Sequence, residues 1–235
     1  MNKLKNILIG LVATISLTSV AYAGSFGLGV TGSYTNINGS GTETTEGTDT
    51  SDSSTRTKSV DNNATLGSIY AEYSFDDASW GAAGNGITFG ASYTPGSADV
   101  SDKVFSRTDT AVGTGAAGSS SGSVTYKAQA EVENYQNFYV EVPLWKSIYV
   151  KAGMSQIDVN TQESGASTTG AYGNASLDGT NLGIGFKGVT SSNIVWKLAY
   201  EETDFDTLNL TSTTSNTIKA DLDTEAVSLS IGYRF

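Results

Sequence analysis

Eight stretches of this chain alternate apolar and non-apolar residues with a period of two, the spacing at which side chains leave opposite faces of a β-strand. The first sets Phe26, Leu28, Val30 and Tyr34 against Gly27, Gly29, Thr31 and Ser33. The last sets Val227, Leu229, Ile231, Tyr233 and Phe235 against Ser228, Ser230, Gly232 and Arg234. Six more lie between them, around Tyr73, Phe89, Val140, Val150, Ile184 and Leu198. A helix needs an apolar stripe at a period of 3.6 and has no use for this pattern. The chain reads as all-β.

The charges on the non-apolar face narrow the architecture. Glu72, Glu141 and Glu201 share it with Lys151, Lys187, Lys197 and Arg234. Those seven are nearly neutral together, within a chain of net charge −11. A soluble β-sandwich turns its apolar face inward and its charges to water, and nothing there requires the charges to balance. A narrow lumen does require it, because buried ions must be paired. Apolar side chains facing lipid and polar ones facing the lumen are the pattern of a transmembrane barrel. Lipid offers no hydrogen bonds to a sheet edge, so such a sheet closes on itself. Eight strands form a barrel whose interior side chains just fill it. The reading is an eight-stranded antiparallel up-and-down transmembrane β-barrel with a lumen ion network of Glu72, Glu141, Lys151, Lys187, Lys197, Glu201 and Arg234. A turn centred on Lys146 would set Glu141 opposite Lys151 and make them a cross-strand ion pair.

The connections alternate in length. Long polar links are expected at Gly39–Asn63, Gly96–Gly122, Asn160–Ser176 and Asp206–Ala220, and shorter ones near Asp76–Asn85, Trp145–Lys146 and Val189–Ser192. Long outer loops and short periplasmic turns are the usual asymmetry of such barrels. Gly39–Asn63 holds one large apolar residue, Val60, and reads as solvated loop without a core. The strand of Val140 has room to begin as early as Val124. Tyr34, Tyr93 and Tyr200 on the outer side, and Phe75, Trp80, Trp145, Trp196, Tyr233 and Phe235 on the inner side, are placed to form two aromatic girdles.

The N-terminus sets the compartment. Lys3 and Lys5, an apolar run from Ile7 to Val20, and Ala21-Tyr22-Ala23 have the three parts of a secretory signal peptide. Residues 1–23 are read as that peptide and 24–235 as the barrel, whose place is the outer membrane. Without Lys3 and Lys5 the chain keeps eleven cations against 24 acids, a charge of −13. That balance excludes nucleic acid as a partner.

The chain has no cysteine and no histidine, so it lacks thiolate chemistry and the usual general base near neutral pH. Glu131 and Glu133 are one pair of carboxylates with acid–base capacity, read as solvated or lining the lumen mouth. The acidic outer links show no ordered spacing of calcium ligands. No catalytic residue, metal site or cofactor is expected.

The C-terminal residues carry a resemblance. Phe235 ends the chain, with Tyr233, Ile231, Leu229 and Val227 behind it in register, which is similar to the terminal signal of bacterial outer-membrane barrels. With the signal peptide and eight segments, the chain resembles the small barrels of the OmpA transmembrane-domain, OmpX and Opa-like class. That resemblance implies recognition of Val227, Leu229, Ile231, Tyr233 and Phe235 by the barrel-assembly machinery. It also implies contact with outer-membrane lipid and lipopolysaccharide, outer loops exposed to surface receptors or phage, and interior ion pairs that block or gate the passage. Barrel enzymes of the outer membrane generally use a histidine base, which this chain lacks. A structural and surface-interaction role in the envelope is expected, with a small-solute porin or ion channel, or an adhesin, as alternatives.

Overall fold

The computed structural model describes residues 24–45, 54–75, 86–101, 105–110, 123–164, 171–213 and 215–235. The signal-peptide region and the link containing Trp80 lie outside the described residues. Ten strands follow in order: β1 (Gly24–Thr45), β2 (Ser54–Phe75), β3 (Thr88–Asp99), β4 (Phe105–Thr110), β5 (Ser123–Trp145), β6 (Ile148–Ser164), β7 (Ala175–Val189), β8 (Ile194–Phe205), β9 (Leu208–Thr211) and β10 (Thr217–Arg234). Eight of them close a ring, β1-β2-β3-β5-β6-β7-β8-β10, and β10 pairs back with β1. Strand β4 pairs with β5 above β3, and β9 pairs with β10 above β8. These two strands continue their predecessors along the same neighbours, so the barrel is eight-stranded and every ring pairing is antiparallel.

The two inner turns among the described residues, β5–β6 and β7–β8, are tight, as the sequence predicts. The β5–β6 turn places Lys146 at φ 47°, and the β7–β8 connection places Asn193 at φ 61°. Pairing resumes at Trp145 with Ile148 and at Val189 with Val195. The outer connections differ from the expectation. Much of Gly39–Asn63 is strand, because β1 and β2 remain paired as far as Thr45 and Ser54. The other three long links likewise contribute the ends of β3 and β6, the short strands β4 and β9, and the starts of β7 and β10. Few large apolar residues is a poor test for loop here, since Thr is a good strand former and each hairpin extends a ladder already aligned. Val60, expected to have no core to join, packs against one. Strand β5 does begin near Val124, at Ser123.

A tilted strand crosses a bilayer in about 9–11 residues, whereas β1 and β2 have 22 each and β5 has 23. The two halves of the barrel differ in kind. In the inner half, Leu28, Val30, Leu182, Ile184, Leu198, Leu229 and Ile231 all point outward and are exposed. In the outer half the alternation inverts. Outward positions become Asn36, Asp178, Glu202, Asp204 and Glu225, while Ile37, Leu177, Phe205 and Leu222 are buried inside. The inner half is a lipid-facing barrel, and the outer half is built like a water-soluble one.

Candidate functional site: the lumen

All seven charged residues of the proposed network point into the barrel. Five of them lie at the innermost level. Lys197 lies between two carboxylates, contacting Glu72 and placing Nζ 2.6 Å from Glu141 Oε1. Lys187 Nζ donates to Glu141 Oε2 at 3.0 Å and to Thr88 Oγ1 at 2.9 Å. Arg234 donates to Ser74 Oγ at 3.3 Å, and Ser74 shares a 2.8 Å hydrogen bond with Thr88. The Tyr139 hydroxyl donates to Glu72 Oε1 at 2.7 Å. All five ionic side chains are under 9% exposed. Ions with that little water depend on one another, and removing one partner leaves the other charged and buried.

The remaining two make a second level. Glu141 faces Lys151 in the ladder, as the position of the turn predicts. The expected ion pair between them is corrected by the structure: Lys151 Nζ lies 2.7 Å from Glu201 Oε2, past Gly183 of the intervening strand β7. The reason is that Glu141 already serves Lys187 and Lys197. Lys151 passes over the Tyr139 ring, with Nζ 4.1 Å from its centroid. Asn137 donates to Asn181 Oδ1 at 3.1 Å, and Asn181 donates to Thr203 Oγ1 at 3.0 Å, extending the level around the wall.

Above these polar levels is a third, which periodicity did not reveal. Ile37, Val100, Ile157, Val159, Leu177, Phe205, Leu208 and Leu222 form one buried apolar cluster. They come from opposite sides of the ring, so they meet across the lumen and fill it. The Tyr135 ring lies against Phe205 at 6.3 Å between centroids, and its hydroxyl is 3.1 Å from Ser155 Oγ. Gly39 permits the close approach of this cluster: a Cβ there would meet Val60 Cγ2 at 3.1 Å and Val100 Cγ1 at 3.3 Å. Each member stands between polar neighbours in sequence, as Phe205 does between Asp204 and Asp206. Val100 and Leu208 fall within segments read as long polar links, and the other six stand singly at their margins. Across the outer end, Tyr172 donates to Glu43 Oε1 on β1 at 3.1 Å.

The outer wall of the inner half carries the complementary feature. Val227, Leu229, Ile231, Tyr233 and Phe235 are between 47% and 70% exposed, on a ring with no open edge at this level. Water would not tolerate that band, and lipid would. The chain is a transmembrane β-barrel. Its architecture is that of an outer-membrane protein. Of the girdle residues, Tyr34 and Tyr200 stand at the outer limit of the band, and Phe75, Trp145, Tyr233 and Phe235 at the inner limit. Tyr93 donates to Asn134 Oδ1 at 2.8 Å. Glu131, on the outer extension of the barrel, accepts from Gln162 Nε2 at 2.6 Å at an exposed site. Among the described residues no group of three or more carboxylates is arranged to hold a metal ion.

No protein-family model matches the barrel, and no curated protein matches it in sequence. Solved structures similar in outline include the outer-membrane protease OmpT from Escherichia coli, at 8% identity and a TM-score of 0.41, covering 90% of this chain and 97% of that one. The outer-membrane protein OprG from Pseudomonas aeruginosa has 12% identity and a TM-score of 0.39, covering 91% and 97%. Ail, the attachment invasion locus protein of Yersinia pestis, solved with a heparin analogue, has 14% identity and a TM-score of 0.38, covering 87% and 99%. One of these three is a protease.

Proposed function

We propose that this is a non-enzymatic outer-membrane barrel, closed along its axis, which supports the envelope and presents its outer arms to surface partners. One observation carries the reading: the lumen is filled at two separate levels, by the Glu72–Lys197–Glu141–Lys187 cluster and by the apolar cluster around Phe205. A hydrated ion crossing the barrel would have to break the first and shed water in the second. Neither level alone makes a pore of the other. The part of the barrel left to act is the protruding outer half, with its polar outer face. Export by residues 1–23, and assembly through Val227, Leu229, Ile231, Tyr233 and Phe235, belong to the same proposal.

Conductance tests it. Purified protein in planar bilayers should give no steady, ion-selective current, and cells lacking it should keep normal solute permeability while losing surface binding. Stable unitary currents from the wild-type barrel would reject the reading in favour of a small-solute porin.

A further inference from the structure

The ladder between β2 and β3 is much shorter than the strands that make it. It runs from Ser74–Thr88 to Ile69–Tyr93, although β2 continues to Ser54 and β3 to Asp99. The two strands meet again where Asn62 Nδ2 donates 2.8 Å to the Asp99 carbonyl. Between these points, among the described residues, the wall has no backbone pairing. The cause is local. Pro95 has no N–H to donate, Gly96 sits at φ 96°, and the β3–β5 register shifts between Thr94 and Ser97. The resulting window begins one outward position above Ile69, where Gly67 and Thr65 end the lipid-facing band.

Behind the window is a cavity of about 130 Å³, lined at the wall by Leu66, Ser68, Thr94 and Gly96. Lys151 and Glu201 stand on its floor, and Phe205, Ile157 and Leu222 form its ceiling. Two residues of its lining, Tyr70 and Asn137, each carry a buried polar atom without a hydrogen-bond partner, Tyr70 Oη where the ring packs over Gly29 and Gly232 and Asn137 Oδ1 beside Gly153. Buried polar atoms in that state usually have a ligand or water to satisfy them.

We infer that this cavity is a binding site for a small uncharged amphiphile, a single apolar ring or its equivalent bearing a hydroxyl, which enters sideways through the β2–β3 window. The size is close to that of an engineered cavity of roughly 150 Å³ that accepts benzene. The apolar ceiling takes the ring, and the floor takes the hydroxyl. Charge is disfavoured because each ion at the floor is already paired, Lys151 with Glu201 and Lys197 with Glu72 and Glu141, so an ionised ligand would be buried without a free counter-ion. The site goes beyond the axial closure proposed above, since it needs an opening in the wall and none along the axis.

The test uses ¹⁹F NMR on the folded barrel in nanodiscs, with 4-fluorophenol as probe and 4-fluorobenzoate as the charged control. Saturable binding of the phenol is expected, with at least tenfold weaker binding of the benzoate. Ala226→Phe, which fills the cavity from β10, should weaken the phenol at least tenfold. Non-saturable uptake equal in wild type and Ala226→Phe would mean partition into lipid, and would overturn the site. Because the chain has no cysteine, a Ser68→Cys/Thr94→Cys pair staples the window alone, and provides a second test if Ala226→Phe fails to fold. Oxidation should slow probe exchange at least tenfold, and reduction should restore it. Exchange unaffected by the staple would overturn the sideways route.

Discussion

Lys151 is level with Glu141 on the neighbouring strand, yet its ammonium is bound to Glu201, 2.7 Å away and two strands along the ring in the other direction, past Gly183 of β7. The pair ties β6 to β8, strands that do not hydrogen-bond to each other. Glu201→Gln should therefore destabilise the barrel by about 3 kcal/mol, the range for breaking a buried pair. The double variant Lys151→Met/Glu201→Leu should recover most of that loss. Reversible urea unfolding in lipid, arranged as a double-mutant cycle, measures both. A loss in the double variant equal to the sum of the two single losses would show that the pair has no mutual dependence.

The two lumen levels should act in series. Glu141→Ala alone should leave the barrel silent in a planar bilayer, because the apolar cluster still fills the section above it. Phe205→Ala alone should be silent too, and should cost roughly 3–5 kcal/mol as a large-to-small core change. The combination of Glu141→Ala with Phe205→Ala and Leu222→Ala should conduct. Currents from Glu141→Ala by itself would show that the apolar level does not seal the lumen.

The lipid-facing assignment of the last strand has its own test. Leu229 is 59% exposed in the middle of the apolar band. Leu229→Arg should cost roughly 2–4 kcal/mol, as for a cation on the lipid face near the midplane. The same change at Glu225, two outward positions along β10, should cost little. A comparable penalty at both sites would place the membrane boundary elsewhere.

Acidity should favour the outer arm of β8 and β10. Asp223 faces Asp204, and Glu225 faces Glu202, directly across the ladder. Partial burial raises the Asp223 carboxyl above its ordinary value, and the charges of Asp204 and Glu225 raise it further. A carboxyl raised on folding binds its proton more tightly in the folded arm. Its contribution is thus most favourable below the unfolded value and is lost as pH rises through the folded one. Protection factors of the amides around Asp223 and Asp204, corrected for the base catalysis of intrinsic exchange, should accordingly be higher at pH 4 than at pH 7. Asp223→Asn should slow exchange at pH 7 and change little at pH 3. Identical exchange in wild type and variant at pH 7 would remove the carboxylate repulsion.

Much of this barrel was legible as sequence because its dominant force is periodic. Two-residue alternation determines which side chains share a face, and a sheet with one lipid-compatible face has no stable edge. Closure, strand count, the tight turn at Lys146 and the inward set from Glu72 to Arg234 all follow from that one constraint. So does the expectation that charges on the inward face come nearly balanced.

Partner choice was decided only in three dimensions. Lys151 had one carboxylate beside it in the ladder and another beyond Gly183 on its other side, and selection between them depended on which was already occupied. The apolar cluster was hidden for a different reason. Ile37, Phe205 and Leu222 each stand singly between polar residues along the chain, so no apolar run marks them until strands from opposite sides bring them together. Alternation is blind to which face is wet. In the inner half lipid lies outside, in the outer half water does, and the same period describes both. Where the one solvent gives way to the other is a property of the assembled barrel, and it separates the half that spans the membrane from the half that stands above it.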